Sequence, residues 1–465
     1  MPSIPAEAMS LWASIWRPAS PERMAENSLI AAFGAVLGYI GAEAATNVIF
    51  ERLLWPQRFY SNFGRESLPF LALCLPMGGP LHKAALNTLD IMFLHGLFNG
   101  AGQGHMLSTS FFRRLDWRYT MHAGVGEGAE LSHNDELRNC LWARVLAAMP
   151  FPAPSVRPPP QNAEVVQADS AERGAAAPAP IPVTTATPAS PSPPKPPPLR
   201  AQTFVGHLTL SRPSLEDHRS KALPFVGESC GRPGPRVLLA ICTAESSAVV
   251  AAVAVAACYH TAWAVLWLAP LALRLLSAVF ALDREPLAPS TRRRPHAPDE
   301  AEYEPALDFE ISCPQSVGGF MVLTGPPSLV LQFMRHYGHP VRNRSLEVIQ
   351  LIIIVTFAAL FPIGLFCSAM WMEPDVQYAW CGYQLYVAVF MHVARYSSAG
   401  HTSTTEAGLA MCLRRSGSVL FGSARDDPGL VKASVNVGYY SRYGEGKKEM
   451  EKLLNRCGTK ISQKG

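Results

Sequence analysis

The chain has 465 residues, 48% of them hydrophobic and only 16% charged, and its mean hydropathy is +0.10 although it contains 41 prolines. So large an apolar share with so few charges points away from an ordinary soluble enzyme and towards a multi-pass membrane class. The net charge of +4 is small and scattered, with no basic stripe interleaved with aromatics, which argues against nucleic acid as a partner.

The ten cysteines (Cys74, Cys140, Cys230, Cys242, Cys258, Cys313, Cys367, Cys381, Cys412 and Cys457) form no CxxC pair and no cluster with histidine. Neither a zinc site nor a disulfide framework is indicated, and no metal or cofactor is expected. The opening MPSIPAEAMSLWASIW has no early basic region and no apolar core of signal-peptide length, so insertion is expected to depend on an internal span. Residues 1–27 read as a polar start in which Trp12 and Trp16 suit an interfacial anchor. The first candidate span is Ser28 to Phe50, where Gly34, Gly38, Ala42 and Thr46 recur every four residues and lay a small-residue face along one side. Glu43 interrupts it, either as a functional carboxylate or as one shielded by packing.

Within 1–150 the shorter apolar pieces Leu68–Leu75 and Ala84–Phe98 are broken by Pro69, Pro76, Pro80, Asp90 and His95, and suit helices on the membrane surface or packed on a bundle. Gly96–Gly104 and Gly124–Gly128 read as loops; GVGEG lacks the Lys-Ser/Thr of a phosphate loop. Residues 151–236 read as a disordered linker, with sixteen prolines between Pro150 and Pro198.

Residues 237–282 are 46 mostly apolar residues, too long for one span and right for two, hinged near Tyr259, His260 and Thr261. Ala248, Ala252 and Ala256 form a second small-residue face. Counted from His260, Glu245 lies fifteen residues before the hinge and Arg274 fourteen after it, so the two are expected at one depth as an intramembrane ion pair. Residues 283–345 read as a charged cytosolic loop with Arg292–Arg294, then a membrane-surface element cut at Gly325-Pro326-Pro327. His336 and His339 are three apart, but Gly338 and Pro340 make this a turn, and an interfacial pair is the expectation rather than a metal site.

Residues 346–396 contain two long apolar runs around the acidic break Glu373-Pro374-Asp375, a helical hairpin with Trp371 and Trp380 at its turn. From His401 onward eleven basic residues stand against six acidic ones, so the positive-inside rule places the 397–465 tail in the cytosol. In the second run Gln384, Ala388, His392 and Tyr396 share a face, and Thr356 is expected to meet His392 across the hairpin. Gln384, His392 and Glu43 are the first candidates for catalysis. No GxSxG, HExxH, calcium loop or kinase signature accompanies them.

The runs LEVIQLIIIVTFAALFP and WCGYQLYVAVFMHVARY resemble those of uncharacterised multi-pass membrane proteins of filamentous fungi. The resemblance covers the last third, implies the endomembrane system or the cell surface, and brings no activity. The expectation is an all-α, multi-pass helical membrane protein of about five spans with disordered cytosolic linkers. Its partners are the lipid bilayer and other membrane helices reached through Gly34, Gly38, Ala248 and Ala252. The leading function is a non-catalytic scaffold or accessory factor; a membrane-embedded enzyme acting on a lipid or terpenoid-like substrate comes second and a small transporter third.

Overall fold

Short β-branched and alternating stretches, TFVGHLTLS, GFMVLTG and VKASVNVGYY among them, pair into a sheet, and this overturns the all-α expectation. The computed structural model describes residues 21–46, 48–61, 68–94, 117–122, 134–149, 203–214, 216–217, 222–287, 304–312, 319–396, 404–427 and 429–462. The two Gly-rich loops, the run of prolines and Arg292–Arg294 lie outside them. The fold is mixed α/β, an eight-stranded sheet packed with fourteen helices among the described residues. The strands are β1 (Arg118–His122), β2 (Asn134–Glu136), β3 (Thr203–Ser211), β4 (Phe225–Gly227), β5 (Leu307–Ser312), β6 (Gly319–Gly325), β7 (Ser418–Gly422) and β8 (Val431–Tyr440). Their order is β2-β1-β5-β6-β3-β8-β7-β4. Central β3 lies in the stretch read as linker; it runs parallel to β6 (Leu208↔Leu323) and antiparallel to β8 (Leu208↔Val435).

The alternation of β3 builds two layers. Phe204, Leu208 and Leu210 face a large core with Trp142, Phe333 and Phe421, supplied by α6 (Leu141–Ala148), α10 (Pro327–Arg335), α13 (Thr405–Ser416) and β7. Val205 faces the other way, onto Val322 and Met450 of α14 (Tyr443–Ser462). The supposed surface element is therefore β6 followed by α10, with Pro326 and Pro327 starting the helix where a missing N–H costs nothing.

The other helices form a bundle: α1 (Pro21–Ala44), α2 (Val48–Leu54), α3 (Pro56–Tyr60), α4 (Leu68–Cys74), α5 (His82–Leu94), α7 (Pro235–Ala244), α8 (Ser246–Tyr259), α9 (Val265–Val279), α11 (Arg344–Trp371) and α12 (Pro374–Tyr396). Two segments, Ala262–Val279 and Arg344–Trp371, are long and apolar enough to cross a membrane, and up to four if two bent helix pairs each count as one. The five expected spans are corrected accordingly: α12, the second run of the 346–396 hairpin, is not among the segments apolar enough to cross, 28–50 breaks between α1 and α2, and 237–259 breaks at Glu245 with a 53° bend. The hinge stands at His260, which caps α8 in the left-handed region at φ 48°.

α1 wedges between α11 and α12. A Cβ on Gly38 would lie 2.5 Å from the Phe361 ring, and one on Gly34 2.6 Å from the tip of the Leu365 side chain, so glycine at 38 lets α1 lie against that ring. Ala248 and Ala252 are likewise buried within the chain. Thr356 hydrogen-bonds the carbonyl of Ile352 on the exposed side of α11 while His392 bonds that of Ile40, so the expected Thr356–His392 contact does not form. The cause is the intervening α1.

Bundle and sheet are locked by buried polar groups. Trp55 Nε1 donates to the Ser229 carbonyl at 2.7 Å, the Arg284 guanidinium stacks 3.8 Å from the Trp55 ring, and Arg58 of α3 bonds Glu406 of α13 through Nε (2.9 Å) and Nη2 (2.5 Å). Burial pushes Glu406 up, but Arg58 and Arg144 outweigh it and hold the carboxyl below its ordinary value. A carboxyl with a lower pKa folded than unfolded stabilises the fold above about 4.5, and that contribution is lost as pH falls through the folded value. Glu406→Gln is therefore expected to cost about 3–5 kcal/mol at neutral pH, as for a buried pair broken on one side. Thermal unfolding followed by tryptophan fluorescence should show the gap to wild type closing below pH 4.5. A gap independent of pH would place the stabilisation elsewhere.

Candidate functional site

The sequence Leu75-Pro76-Met77-Gly78-Gly79-Pro80-Leu81 cannot continue a helix, since its prolines lack N–H groups and block the preceding turn. It joins α4 to α5 as a buried loop pressed against the middle of α12. A Cβ on Gly78 would lie 3.1 Å from Tyr383, one on Gly79 2.6 Å from Val387, and Pro80 fills the notch at Gly41. Backbone this deep needs hydrogen-bond partners.

Glu245 and Arg274 provide them. Glu245 sits at the break between α7 and α8, where the bend turns its side chain inward, and both residues are almost fully buried. Glu245 Oε1 accepts from Arg274 Nη1 at 2.7 Å and from the backbone N–H of Met77 at 2.9 Å. Arg274 Nη1 also reaches the Leu75 carbonyl at 3.4 Å, and Nη2 donates to the Tyr60 hydroxyl at 2.7 Å. The two charges thus clamp both ends of the loop's first peptides and tie it to α3. Glu245 Oε2 has no hydrogen bond among the described residues.

Beside the clamp lies a cavity of about 140 Å³ between the α1–α2 break, α4, α9 and the end of α12. Arg52, Arg274, Arg395, Tyr60 and Thr46 supply its polar lining, and Met391 and Ala394 part of its apolar wall. None of the first catalytic candidates lines it. Glu43 makes a salt bridge to Lys83. His392 Nε2 lies 3.2 Å from the Ile40 carbonyl, its ring stacked on Tyr396. Gln384 is buried about two turns earlier in α12, its Oε1 without a hydrogen bond among the described residues. The structure therefore joins Glu245 to Arg274 but does not bring Glu43, Gln384 and His392 to one site.

A second buried cluster, Cys230, Arg284 and Tyr337, stands at the bundle–sheet junction. Burial pushes the Cys230 thiol up to about 12, which leaves it a poor nucleophile. Burial also pulls Arg284 down to about 9, still cationic at neutral pH, where it holds the Gly338 carbonyl at 3.0 Å. This cluster is a strut. Among the described residues no group of three or more His, Cys, Asp or Glu is placed to hold a metal ion.

Compared with protein-family models, curated proteins and solved structures, the chain matches none. The site must be read from its own geometry. Arg52, Tyr60 and Arg395 escape the sequence reading because they come from three separate elements; the signal that was available is a proline-glycine loop that two buried charges must satisfy.

The clamp generates a charge cycle. Glu245→Gln and Arg274→Gln are each expected to destabilise the protein by about 3–5 kcal/mol, as each strands a buried charge. The double variant should lose clearly less than the sum, read from thermal unfolding midpoints. Additive losses would show that the two side chains do not act as a pair.

Proposed function

We propose that the chain is a membrane-anchored scaffold: the helical bundle sits in a bilayer and holds the eight-stranded sheet at one face, without catalysis of its own. The observation that carries this reading is the inverted polarity of the bundle. Its charges at the clamp point inward onto backbone, while Val265, Val279, Ile352, Ile363 and Phe366 point outward, 53–72% exposed. Only a third of each apolar segment, Ala262–Val279 and Arg344–Trp371, is buried against the rest of the chain. In water such a surface would drive association; in hydrocarbon it is matched.

The threading follows from where the sheet attaches. β4 leads into α7 and α9 leads out to β5; β6 and α10 lead into α11 and α12 leads out to α13. Both excursions begin and end at the sheet, with turns at His260 and at Glu373. Exposed Arg232, Arg236, Arg342, Arg344 and Arg395 stand at the sheet end, whereas Glu373 and Asp375 stand at the far turn. The positive-inside rule then puts the sheet in the cytosol. The enzyme and transporter alternatives need a cavity at His392 and Glu43, and the described cavity is lined by neither.

Alkaline carbonate should leave the chain with the membrane pellet. In sealed, cytosol-side-out microsomes a membrane-impermeant maleimide should modify an introduced Lys447→Cys directly, and native Cys258, exposed beside the hinge, only after permeabilisation. Release into the carbonate supernatant contradicts the anchoring, and early modification of Cys258 contradicts the threading.

A further inference from the structure

Three buried polar atoms where α8, α12 and the Leu75–Leu81 loop meet make no hydrogen bond among the described residues: Glu245 Oε2, Ser247 Oγ and Tyr383 Oη. They are neighbours. Ser247 stands two residues after Glu245, in the first turn of α8. The Tyr383 hydroxyl lies against Gly78, where a Cβ would be 3.3 Å from it, and the adjoining Met77 N–H is the one that Glu245 Oε1 accepts. Tyr383 and Tyr386 both stand close enough to feel the Ser247 hydroxyl and the Glu245 charge. Tyr386 is already satisfied, its hydroxyl donating to the Leu73 carbonyl at 2.7 Å. The other three groups interact at close range yet outside direct hydrogen-bond geometry, which is the spacing that one bridging molecule produces. Glu245 is completely buried, and a charged oxygen left unmet in an interior is a costly defect.

We infer that a single ordered water molecule binds here and bridges Glu245 Oε2, Ser247 Oγ and Tyr383 Oη. The chemistry of the site selects it. The Glu245 carboxylate disfavours an anion, and Arg274, bonded to the other oxygen of that carboxylate at 2.7 Å, disfavours a cation. The ligand must therefore be neutral and small. It must also donate to the carboxylate oxygen, which only accepts, and exchange bonds with two hydroxyls, which both donate and accept. Three hydrogen bonds are the usual complement of a buried water. Such a water completes the clamp: Arg274 and the Met77 N–H hold Oε1, and the water ties Oε2 to α12. The site goes beyond the scaffold reading and does not depend on a bilayer, because the chain itself buries all three atoms.

The test is a density map of the full-length wild-type protein, by crystallography or electron cryomicroscopy, at a resolution that shows ordered water. A peak is expected about 2.5–3.0 Å from Glu245 Oε2 and from both hydroxyl oxygens. Glu245 Oε2 in direct contact with Tyr383 or Ser247, with no peak between them, overturns the water site. Thermal unfolding gives a second reading in solution. Tyr383→Phe and Ser247→Ala each remove one of the water's three bonds and should lower the midpoint by about 2–4 °C. The double variant should lose less than the sum, because both bonds hold the same molecule. Midpoints unchanged in both single variants, or losses that simply add, also overturn it. The wild-type map needs no substitution, so the question stays decidable if either variant does not fold.

Discussion

Irregular backbone buried among helices must find a partner for every N–H and C=O, and the bundle is arranged around one instance of that constraint. The Leu75–Leu81 loop is buried among helices, and its first peptides are served by side chains. Pro76 and Pro80 bring no donors, which reduces the demand, and the Met77 N–H and Leu75 carbonyl are met by Glu245 and Arg274. An unmet backbone group in an apolar interior costs several kcal/mol, enough to decide between this packing and another. The pair itself would be expensive to bury alone; the backbone and Tyr60 bonds are what make the arrangement tenable.

The rest of the geometry follows from keeping that loop in place. Glycines at 78 and 79 let it touch α12, and glycines at 34, 38 and 41 let α1 close over α11, α12 and Pro80. The break at Glu245 is the price of turning a carboxylate inward. At the lower end, Tyr60 belongs to the same short helix as Arg58, whose bond to Glu406 fixes the sheet. One continuous set of polar contacts therefore runs from the loop, through α3, to the sheet, and the arginine-lined cavity lies alongside it.

Much of the helical part is legible in the sequence. The run from Leu346, the acidic break at Glu373 and the hinge at His260 are local signals, and the near-equal distances of Glu245 and Arg274 from that hinge are simple arithmetic. The sheet is not legible in the same way, because its strands pair across great separations: His207 meets Thr324, 117 residues away, and α3 meets α13 at 348. Short strands flanked by prolines and charges then resemble linker. One signal was present, since Val431, Ala433, Val435 and Val437 alternate in β8, but hydropathy averaged over a helix-length window erases a period of two. The polar stripe of Gln384 and His392 misleads for a related reason. Helical spacing gives a shared face but not what that face meets, and along α12 it passes from buried Gln384 to exposed Tyr396.

The central claim is that two buried charges hold the Leu75–Leu81 loop inside the bundle. Hydrogen–deuterium exchange on the full-length protein measures this directly at the Met77 amide. The account predicts exchange as slow as that of the α11 core in wild type and fast exchange confined to this loop in Glu245→Gln. Fast exchange at Met77 in wild type, or protection that survives Glu245→Gln unchanged, would contradict it.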